Sequence, residues 1–207
     1  MIAFAAGQSD TGDANTRLLA NRIADGSGKI QLTDGSGEQK PIVSPDGQWL
    51  FYQVAGKSPT TIWKVSTGGG ESIQVTTGHG TNPSVSPDGK RLAFFERKEP
   101  NKDILQMVVM SLENGQIVRK FSLPEGDLIA TFKILWTKDG KALIYAKEKL
   151  DRIANIWTQP LDGSAPKQIT NYSSERIFDF GWSLDGKQLA VIRGVWKNEA
   201  VLISGFR

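Results

Sequence analysis

Residues 82–95 read Asn82-Pro83-Ser84-Val85-Ser86-Pro87-Asp88-Gly89-Lys90-Arg91-Leu92-Ala93-Phe94-Phe95. The apolar runs around a polar centre predict a strand, a tight turn and a second strand. Pro favours the φ of about −65° at the first corner of a type I turn, Asp takes the second corner, and Gly accepts the left-handed conformation that closes it. The pattern recurs at residues 41–52, 133–146 and 178–192, and the four turn sequences, which we call tags, are Ser44-Pro45-Asp46-Gly47, Ser86-Pro87-Asp88-Gly89, Thr137-Lys138-Asp139-Gly140 and Ser183-Leu184-Asp185-Gly186. We therefore interpret the four aspartates as turn formers rather than as metal ligands or catalysts.

The tags recur about every 45 residues, a period typical of repeat architectures. An apolar strand follows each tag, and a third strand is predicted at residues 61–65, 104–112 and 155–158. A Gly-rich turn then leads to a fourth short strand at residues 72–76, 117–121 and 167–170. No segment shows a helical period. The predicted fold is all-β, a β-propeller built of four-stranded antiparallel blades.

The two ends of the chain fit the same frame with incomplete units. Residues 2–6, 17–23 and 29–33 match the second, third and fourth strands of a first blade, and residues 201–204 match the third strand of a last one. We predict a single propeller domain over residues 1–207, with about five blades at residues 1–34, 35–77, 78–122, 123–171 and 172–207.

Four tryptophans recur at equivalent places in the repeats. Trp136 and Trp182 stand directly before tags, and Trp63 and Trp157 stand on third strands. Large apolar residues at fixed blade positions are expected between packed blades. We predict that all four belong to the core and do not form a platform for stacking a ligand.

Charge and composition argue against several classes of partner. The net charge is +3 among 207 residues, and acidic residues interrupt the basic stretches at 90–98 and 147–152. We interpret these stretches as solvated edges and loops, and predict no nucleic-acid binding by this domain. The apolar run at residues 1–7 is too short for a signal peptide, and none approaches the roughly 18 residues of a membrane span. We expect no membrane contact by this chain, and its compartment is unknown.

Catalytic chemistry has little support in the sequence. The chain has no Cys and one His, His79. A single His without Cys cannot supply a histidine-based zinc site, and no G-x-S-x-G motif presents a nucleophilic Ser. We predict that the protein is not an enzyme, with no catalytic residues, no metal and no cofactor.

The tag and the strand after it resemble the WD-like repeat of TolB-type propellers, which also occurs in prolyl oligopeptidase-like peptidases. This likeness rests on residues 86–94 and their repeats. Residues 155–163 and 176–183 resemble a narrower group, the C-terminal propellers of bacterial, especially acidobacterial-type, sensor kinases or winged-helix regulators. The resemblance implies an upstream kinase or winged-helix domain in a longer parent chain. It also implies that this parent chain could be tethered to a membrane, with its propeller in the periplasm.

The blade count departs from this family, whose rings usually close with six or more blades. Three arrangements are open: a fragment of a larger ring, a five-bladed ring closed by its two partial blades, and an open arc. An open arc would expose strand edges and blade faces, which favour aggregation. We favour a fragment whose parent ring continues on the N-terminal side.

The loops that lead into the blades are expected to gather on one face of a propeller. These loops and the strand starts after them carry the predicted contacts for a protein partner or a small ligand: His79, Asn82, Glu125, Asp127, Tyr172, Arg176 and Asp179. His79 has the alternative of a plain loop residue. Arg176 and Asp179 have the alternative of pairing with each other as a structural clamp.

The function predicted first is a non-enzymatic interaction or ligand-sensing module of a bacterial signalling or regulatory protein. One alternative is the propeller of a prolyl oligopeptidase-like serine peptidase that lacks its hydrolase domain. Another is a TolB-like periplasmic scaffold for envelope proteins.

Overall fold

The computed structural model of the chain describes residues 2–6, 17–21, 30–35, 37–56, 59–97, 105–122, 128–183 and 185–195. The regular secondary structure of these residues is entirely β-strand. In the described ranges there is no helix long and apolar enough to cross a membrane. The strand predicted at residues 201–204 lies outside them.

Five antiparallel sheets follow one another along the chain, each formed by strands that are consecutive in sequence. The first blade comprises β1 (Ile2–Ala6), β2 (Arg17–Asn21) and β3 (Ile30–Gln31). The second comprises β4 (Glu38–Val43), β5 (Trp49–Val54), β6 (Thr61–Ser66) and β7 (Ile73–Gln74), and the third β8 (Thr81–Val85), β9 (Arg91–Arg97), β10 (Leu105–Ser111) and β11 (Ile117–Ser122). The fourth comprises β12 (Leu128–Trp136), β13 (Ala142–Glu148), β14 (Ala154–Pro160) and β15 (Lys167–Gln168), and the fifth β16 (Arg176–Trp182) and β17 (Leu189–Gly194). The predicted fold class is confirmed.

The first strands of the second to fifth blades lie side by side in the order β4, β8, β12, β16, and β1 lies against β4. Within the described part of the chain, no sheet pairs strands from its two ends. The fragment, the closed ring and the open arc therefore all stay predictions.

Each tag forms the predicted turn. In the third blade, Gly89 has φ +71° and its N–H donates to the Ser86 carbonyl at 2.8 Å. One carboxylate oxygen, Asp88 Oδ1, accepts from Ser86 Oγ at 2.5 Å and from Lys90 N at 3.1 Å. The other three tags repeat this pattern, with glycine φ values of +65° to +73°. The interpretation of the aspartates as turn formers is confirmed.

The fourth strands of the second and fourth blades have only two residues, fewer than predicted. Just after each of these strands ends, a threonine hydroxyl accepts a hydrogen bond from the neighbouring strand. Thr76 Oγ1 accepts from Ile62 N, and Thr170 Oγ1 accepts from Ile156 N, both at 2.9 Å. The side-chain hydroxyl satisfies the backbone N–H of Ile62 or Ile156, while the carbonyl of the same residue still accepts from a backbone N–H.

The core consists of successive interfaces between neighbouring blades. Phe51 and Ile62 of the second blade pack with Phe94 of the third. Phe95 of the third blade packs with Tyr145 of the fourth. The fourth and fifth blades share a further cluster, and Leu32 packs with residues of the second blade. Each sheet therefore buries its faces on its neighbours, as the repeat predicts.

The tryptophan prediction is confirmed for three residues and wrong for Trp182. Trp136 is buried, and Trp63 and Trp157 are partly buried against core clusters, but Trp182 is 38% exposed. The indole N–H of Trp136 donates to the Ser84 carbonyl, and that of Trp182 donates to the Trp136 carbonyl. Each acceptor lies on the first strand of the preceding blade. The two rings differ in a further contact: the Arg91 guanidinium lies 5.2 Å from the centre of the Trp136 ring. Ala142 stands at the position equivalent to Arg91 and brings no guanidinium to the Trp182 ring.

The interpretation of residues 147–152 as a solvated basic stretch is also wrong at its start. Lys147 and Glu148 lie at the end of β13, between β12 and β14, and are 8% and 1% exposed. The Lys147 ammonium lies 3.6 Å from the centre of the Trp157 ring. Such a contact stabilises a cation that has lost much of its water.

Candidate central ligand site

The first strands of four blades line an open cavity of about 770 Å³. Its walls are residues 40–42 of β4, 82–84 of β8, 130–135 of β12 and 176–179 of β16. We call it the central cavity. It is of the size that proteins use to bind small molecules or peptide side chains.

Every wall of the central cavity carries an irregularity in strand pairing. The register shifts between Gln39 and Ile42 in β4, and between Thr81 and Ser84 in β8. Similar shifts occur in β12 and β16. A bulge leaves an extra residue out of the ladder and turns its side chain in a new direction. The sheets are therefore interrupted where they face the cavity.

Two of the bulged residues have left-handed backbones without being glycine. Lys40 has φ +53° and Asn82 has φ +54°. Asn tolerates this conformation, whereas Lys adopts it rarely and at a cost of about 1–2 kcal/mol. The N–H of Asn82 donates to Oε1 of the buried Gln53 at 3.0 Å, so the second blade holds this bulge in place. Strain of this kind is typical of binding sites.

One position of the repeat supplies a polar side chain from each wall. This position lies four residues before each tag, and we call its occupants the inner ring: Lys40, Asn82, Lys133 and Asp179. Aligning the four tags shows that these positions are equivalent, but not that they face a cavity. The sequence predictions include only two of its members, Asn82 and Asp179, because they were drawn from loops and strand starts rather than from equivalent positions on the first strands.

The inner ring contains one ion pair. Lys133 Nζ donates to Asp179 Oδ1 at 2.8 Å, across the fourth and fifth blades. Burial raises the pKa of Asp179, but the hydrogen bonds from Lys133 and from the Phe180 N–H outweigh it, and the positive charge of Lys40 adds to their effect. The net pKa lies below the ordinary value of 3.8, so Asp179 is a carboxylate at neutral pH.

Arg176 is held in the cavity wall from behind. Its Nε donates to Glu148 Oε2 at 2.9 Å, and Glu148 is 1% exposed. Arg152 approaches the other carboxylate oxygen at 3.1 Å. The alternative of a clamp between Arg176 and Asp179 is wrong, because the fourth blade places an oppositely charged residue next to each of them.

Apolar and unsatisfied groups lie beside these charges. Phe132 and Phe178 line the cavity and are 59% and 38% exposed. The hydroxyl of Thr131 is buried, yet it has no hydrogen-bond partner within the described structure. An unpaired buried hydroxyl costs free energy that a ligand could recover. Nothing in the sequence distinguished these three residues from ordinary strand residues.

Of the seven residues predicted for the site, the structure brings Asn82, Arg176 and Asp179 together at the central cavity. Two others, Glu125 and Asp127, lie outside the described residues. The remaining two, His79 and Tyr172, are not part of the cavity wall, and each has a structural contact of its own.

His79 ties a loop to its own blade. Its Nδ1 accepts a hydrogen bond from Arg97 N at 3.3 Å. Burial, followed by the nearby charge of Arg97, lowers the pKa of His79 below 6.5. The imidazole is therefore neutral at pH 7, and its acceptor nitrogen is used within the third blade.

Tyr172 is held by two neighbours. The Arg193 guanidinium lies 3.5 Å from the centre of its ring, and Asn155 bonds to its backbone N–H and carbonyl. These contacts fasten the loop between the fourth and fifth blades. No group of three His, Cys, Asp or Glu side chains that could hold a metal occurs among the residues with described positions.

Comparison with known proteins identifies the fold. No family model matches the chain. It is 27% identical over 172 residues to the uncharacterized peptidase YuxL of Bacillus subtilis, covering 79% of this chain and 24% of YuxL. Among solved structures, TolB from Acinetobacter baumannii superposes with a TM-score of 0.73 at 22% identity, over 91% of this chain and 46% of that one. A puromycin-hydrolyzing peptidase of Mycobacterium tuberculosis superposes with a TM-score of 0.59 at 17% identity, over 93% of this chain and 35% of that one. The chain thus spans less than half of each of these proteins, and its fold is that of a TolB-like β-propeller.

Proposed function

We propose that this chain is a non-enzymatic interaction or ligand-sensing module that binds its ligand at the central cavity. The observation that carries the proposal is the inner ring, in which one position of the repeat points four polar side chains at one space. Bulges in all four first strands interrupt the sheets there. A fold alone needs neither polar residues at this position nor left-handed Lys40, so we assign both to binding.

The resemblance to sensor propellers gives the proposal its setting, which is a signalling or regulatory protein. In this setting the ligand, a protein segment or a small molecule, changes the state of an upstream kinase or winged-helix domain. Ligand-dependent activity of such a domain, measured in the parent protein, is the expected outcome. A parent protein without either domain would remove this setting and leave the binding role.

Binding at the cavity is tested with a panel of short peptides and metabolites, using the rise in unfolding temperature as the readout. We expect any stabilising ligand to lose its effect in the variant Asn82→Ala combined with Lys133→Met. Lys187→Met, an exposed lysine in the fifth blade next to its tag, is the control. Ligands that stabilise the double variant as well as the unchanged chain would place binding elsewhere.

A second candidate is the propeller of a serine peptidase, favoured by the likeness to YuxL and to the mycobacterial peptidase. In that role the central cavity admits peptides to a hydrolase domain of a longer protein. We expect the 207-residue chain alone to hydrolyse aminoacyl and prolyl test substrates no faster than buffer. Hydrolysis that survives purification to homogeneity would show that the chain is itself an enzyme.

The third candidate, a scaffold for envelope proteins, is favoured by the superposition with A. baumannii TolB. It predicts that the chain retains a specific envelope protein from a bacterial extract. Retention that is unchanged in the Asn82→Ala and Lys133→Met double variant would separate this role from ligand binding at the cavity.

A further inference from the structure

We infer that the ligand of the central cavity is an acidic peptide segment, whose carboxylates pair with Lys40 and Arg176 while its apolar side chains contact Phe132 and Phe178. This inference rests on the proposed function and specifies the chemistry of the ligand. It is carried by four features of the cavity wall: the distribution of charge, the support behind Arg176, the exposed aromatic rings and the bulged backbone.

The charges of the wall are unbalanced. Lys40, Lys133 and Arg176 are cations, whereas Asp179 is the carboxylate among the lining side chains. Asp179 is engaged by Lys133 at 2.8 Å. The exposed Lys40 has no ion-pair partner among the described residues. Lys40 lines the cavity, and its charge acts on Asp179 without a direct ion pair between them. An incoming carboxylate would therefore meet an available cation.

Arg176 is prepared for a second acceptor. A guanidinium has five N–H donors, and Glu148 accepts from Nε of Arg176. The buried Glu148 fixes the side chain, so that part of the entropy cost of ordering it has been met before a ligand arrives. Arg176 still has 32% of its side chain exposed and lines the cavity. These features are those of a residue that binds carboxylates in planar, directed hydrogen bonds.

The aromatic rings favour a peptide over an inorganic anion. Phe132 and Phe178 expose apolar surface on the same wall as the charges. Phosphate has no apolar part to cover them. A peptide can place separate carboxylates at Lys40 and Arg176 and keep apolar side chains between them. The bulges also interrupt the regular strand pairing at the cavity wall.

The test uses a fluorescein-labelled peptide of alternating glutamate and leucine, with a matched peptide in which glutamine replaces glutamate. Fluorescence anisotropy with the unchanged 207-residue chain measures both affinities. We expect the glutamate peptide to bind at least about tenfold more tightly, since a hydrogen bond to a charged group is stronger than one to a neutral amide. Added salt is expected to reduce this advantage.

Two variants locate the binding. Lys40→Met is expected to weaken the glutamate peptide about tenfold and to leave the glutamine peptide unchanged, because Lys40 acts through its charge. Phe132→Ala is expected to weaken both peptides, because the ring contacts their apolar side chains. Lys187→Met is the charge control and should bind both peptides as the unchanged chain does. Thermal unfolding of each variant confirms that it is folded.

The outcomes separate the acidic-peptide inference from the proposed function on which it rests. Equal binding of the two peptides, with both weakened by Phe132→Ala, would overturn the acidic ligand and keep the cavity as a peptide site. Displacement of the glutamate peptide by equimolar inorganic phosphate would show a general anion site and overturn the peptide. Failure of both peptides to bind overturns the inference, whereas the proposed function fails only if the wider ligand panel also shows no cavity-dependent binding.

Discussion

One carboxylate oxygen in each tag accepts the hydrogen bonds that close the turn. Asp88 Oδ1 accepts from a serine hydroxyl and from a backbone N–H, and the aspartates of the other tags accept equivalent bonds. The hydroxyl is the main cause that lowers the pKa of Asp46, Asp88, Asp139 and Asp185 below 3.8. The folded state therefore prefers the charged form of these four mostly exposed carboxyls. The hydrogen bonds of the turn explain this preference without a catalytic or metal-binding role.

Acid is expected to weaken the fold through these tags. Because the folded pKa is lowered, the contribution is complete above the unfolded value of about 3.8 and disappears as the pH falls through the folded values. Asp88→Asn keeps a turn-forming side chain and removes one titrating group, so its unfolding free energy should fall less steeply below about pH 4. Urea unfolding at a series of pH values measures both slopes. Identical slopes would assign the acid sensitivity to other groups.

At the scale of elements, neighbouring blades are joined by hydrogen bonds as well as by apolar packing. The Trp136 indole donates to the Ser84 carbonyl at 2.9 Å, and the Arg91 guanidinium donates to the Gly140 carbonyl at 3.1 Å. The pair of Arg176 and Glu148 joins β16 to β13 behind the cavity wall. These contacts fix the angle between adjacent sheets, and thereby the distance between the strands that face the cavity.

Removing the charge of Glu148 tests this joint. Glu148→Gln keeps the shape of the side chain but leaves Arg176 and Arg152 without their anion. Breaking a fully buried pair costs about 3–5 kcal/mol, and the partial exposure of both arginines reduces the expected loss to about 1–3 kcal/mol of unfolding free energy. Lys120→Met breaks the more exposed pair with Glu96 and should cost less than about 1 kcal/mol. Equal losses of unfolding free energy in the two variants would show that the buried Glu148 pair contributes no more than an exposed one.

At the scale of the whole molecule, the described blades form a series in which each packs on the next one along the chain. The hydrophobic clusters each join adjacent blades, and the described sheets share no strands. In such an array the stability is approximately the sum of the blade and interface contributions. A blade that packs on two described neighbours is therefore expected to be held more firmly than the fifth blade, which packs on one described neighbour.

Hydrogen exchange should follow this order. We expect the amides of β9 and β10, at the centre of the third blade, to exchange more slowly than those of β16 and β17. The third blade packs on the second and the fourth, and β17 carries the 59% exposed Ile192. Exchange measured by mass spectrometry on proteolytic fragments gives the comparison. Equal or greater protection of β16 and β17 would show that the fifth blade has a further stabilising interface.

The sequence determined the repeat, the turns and the fold class, because these depend on local chemistry. Gly89 and its equivalents indicate a positive φ wherever the chain must reverse, and the apolar run after each tag indicates a buried strand. Strand ends were less predictable. The residue pattern extends the fourth strands through Thr76 and Thr170, whereas in the structure the hydroxyls of these threonines accept the hydrogen bonds there. For the site, Asn82, Arg176 and Asp179 were found from their place near the blade starts.

The tertiary structure alone decided which side chains share the central cavity and which partners they have. A bulge shifts the pairing of a strand by a residue and reverses the face on which the later side chains lie, so Lys40 and Lys133 could not be assigned to the cavity from alternation. The pairing of Arg176 with Glu148 depends on how two blades pack. The contact of the Arg91 guanidinium with the Trp136 ring depends likewise on the packing of two blades. Contacts between residues distant in sequence are set by the angle and register of whole sheets, and no single stretch of the chain encodes either.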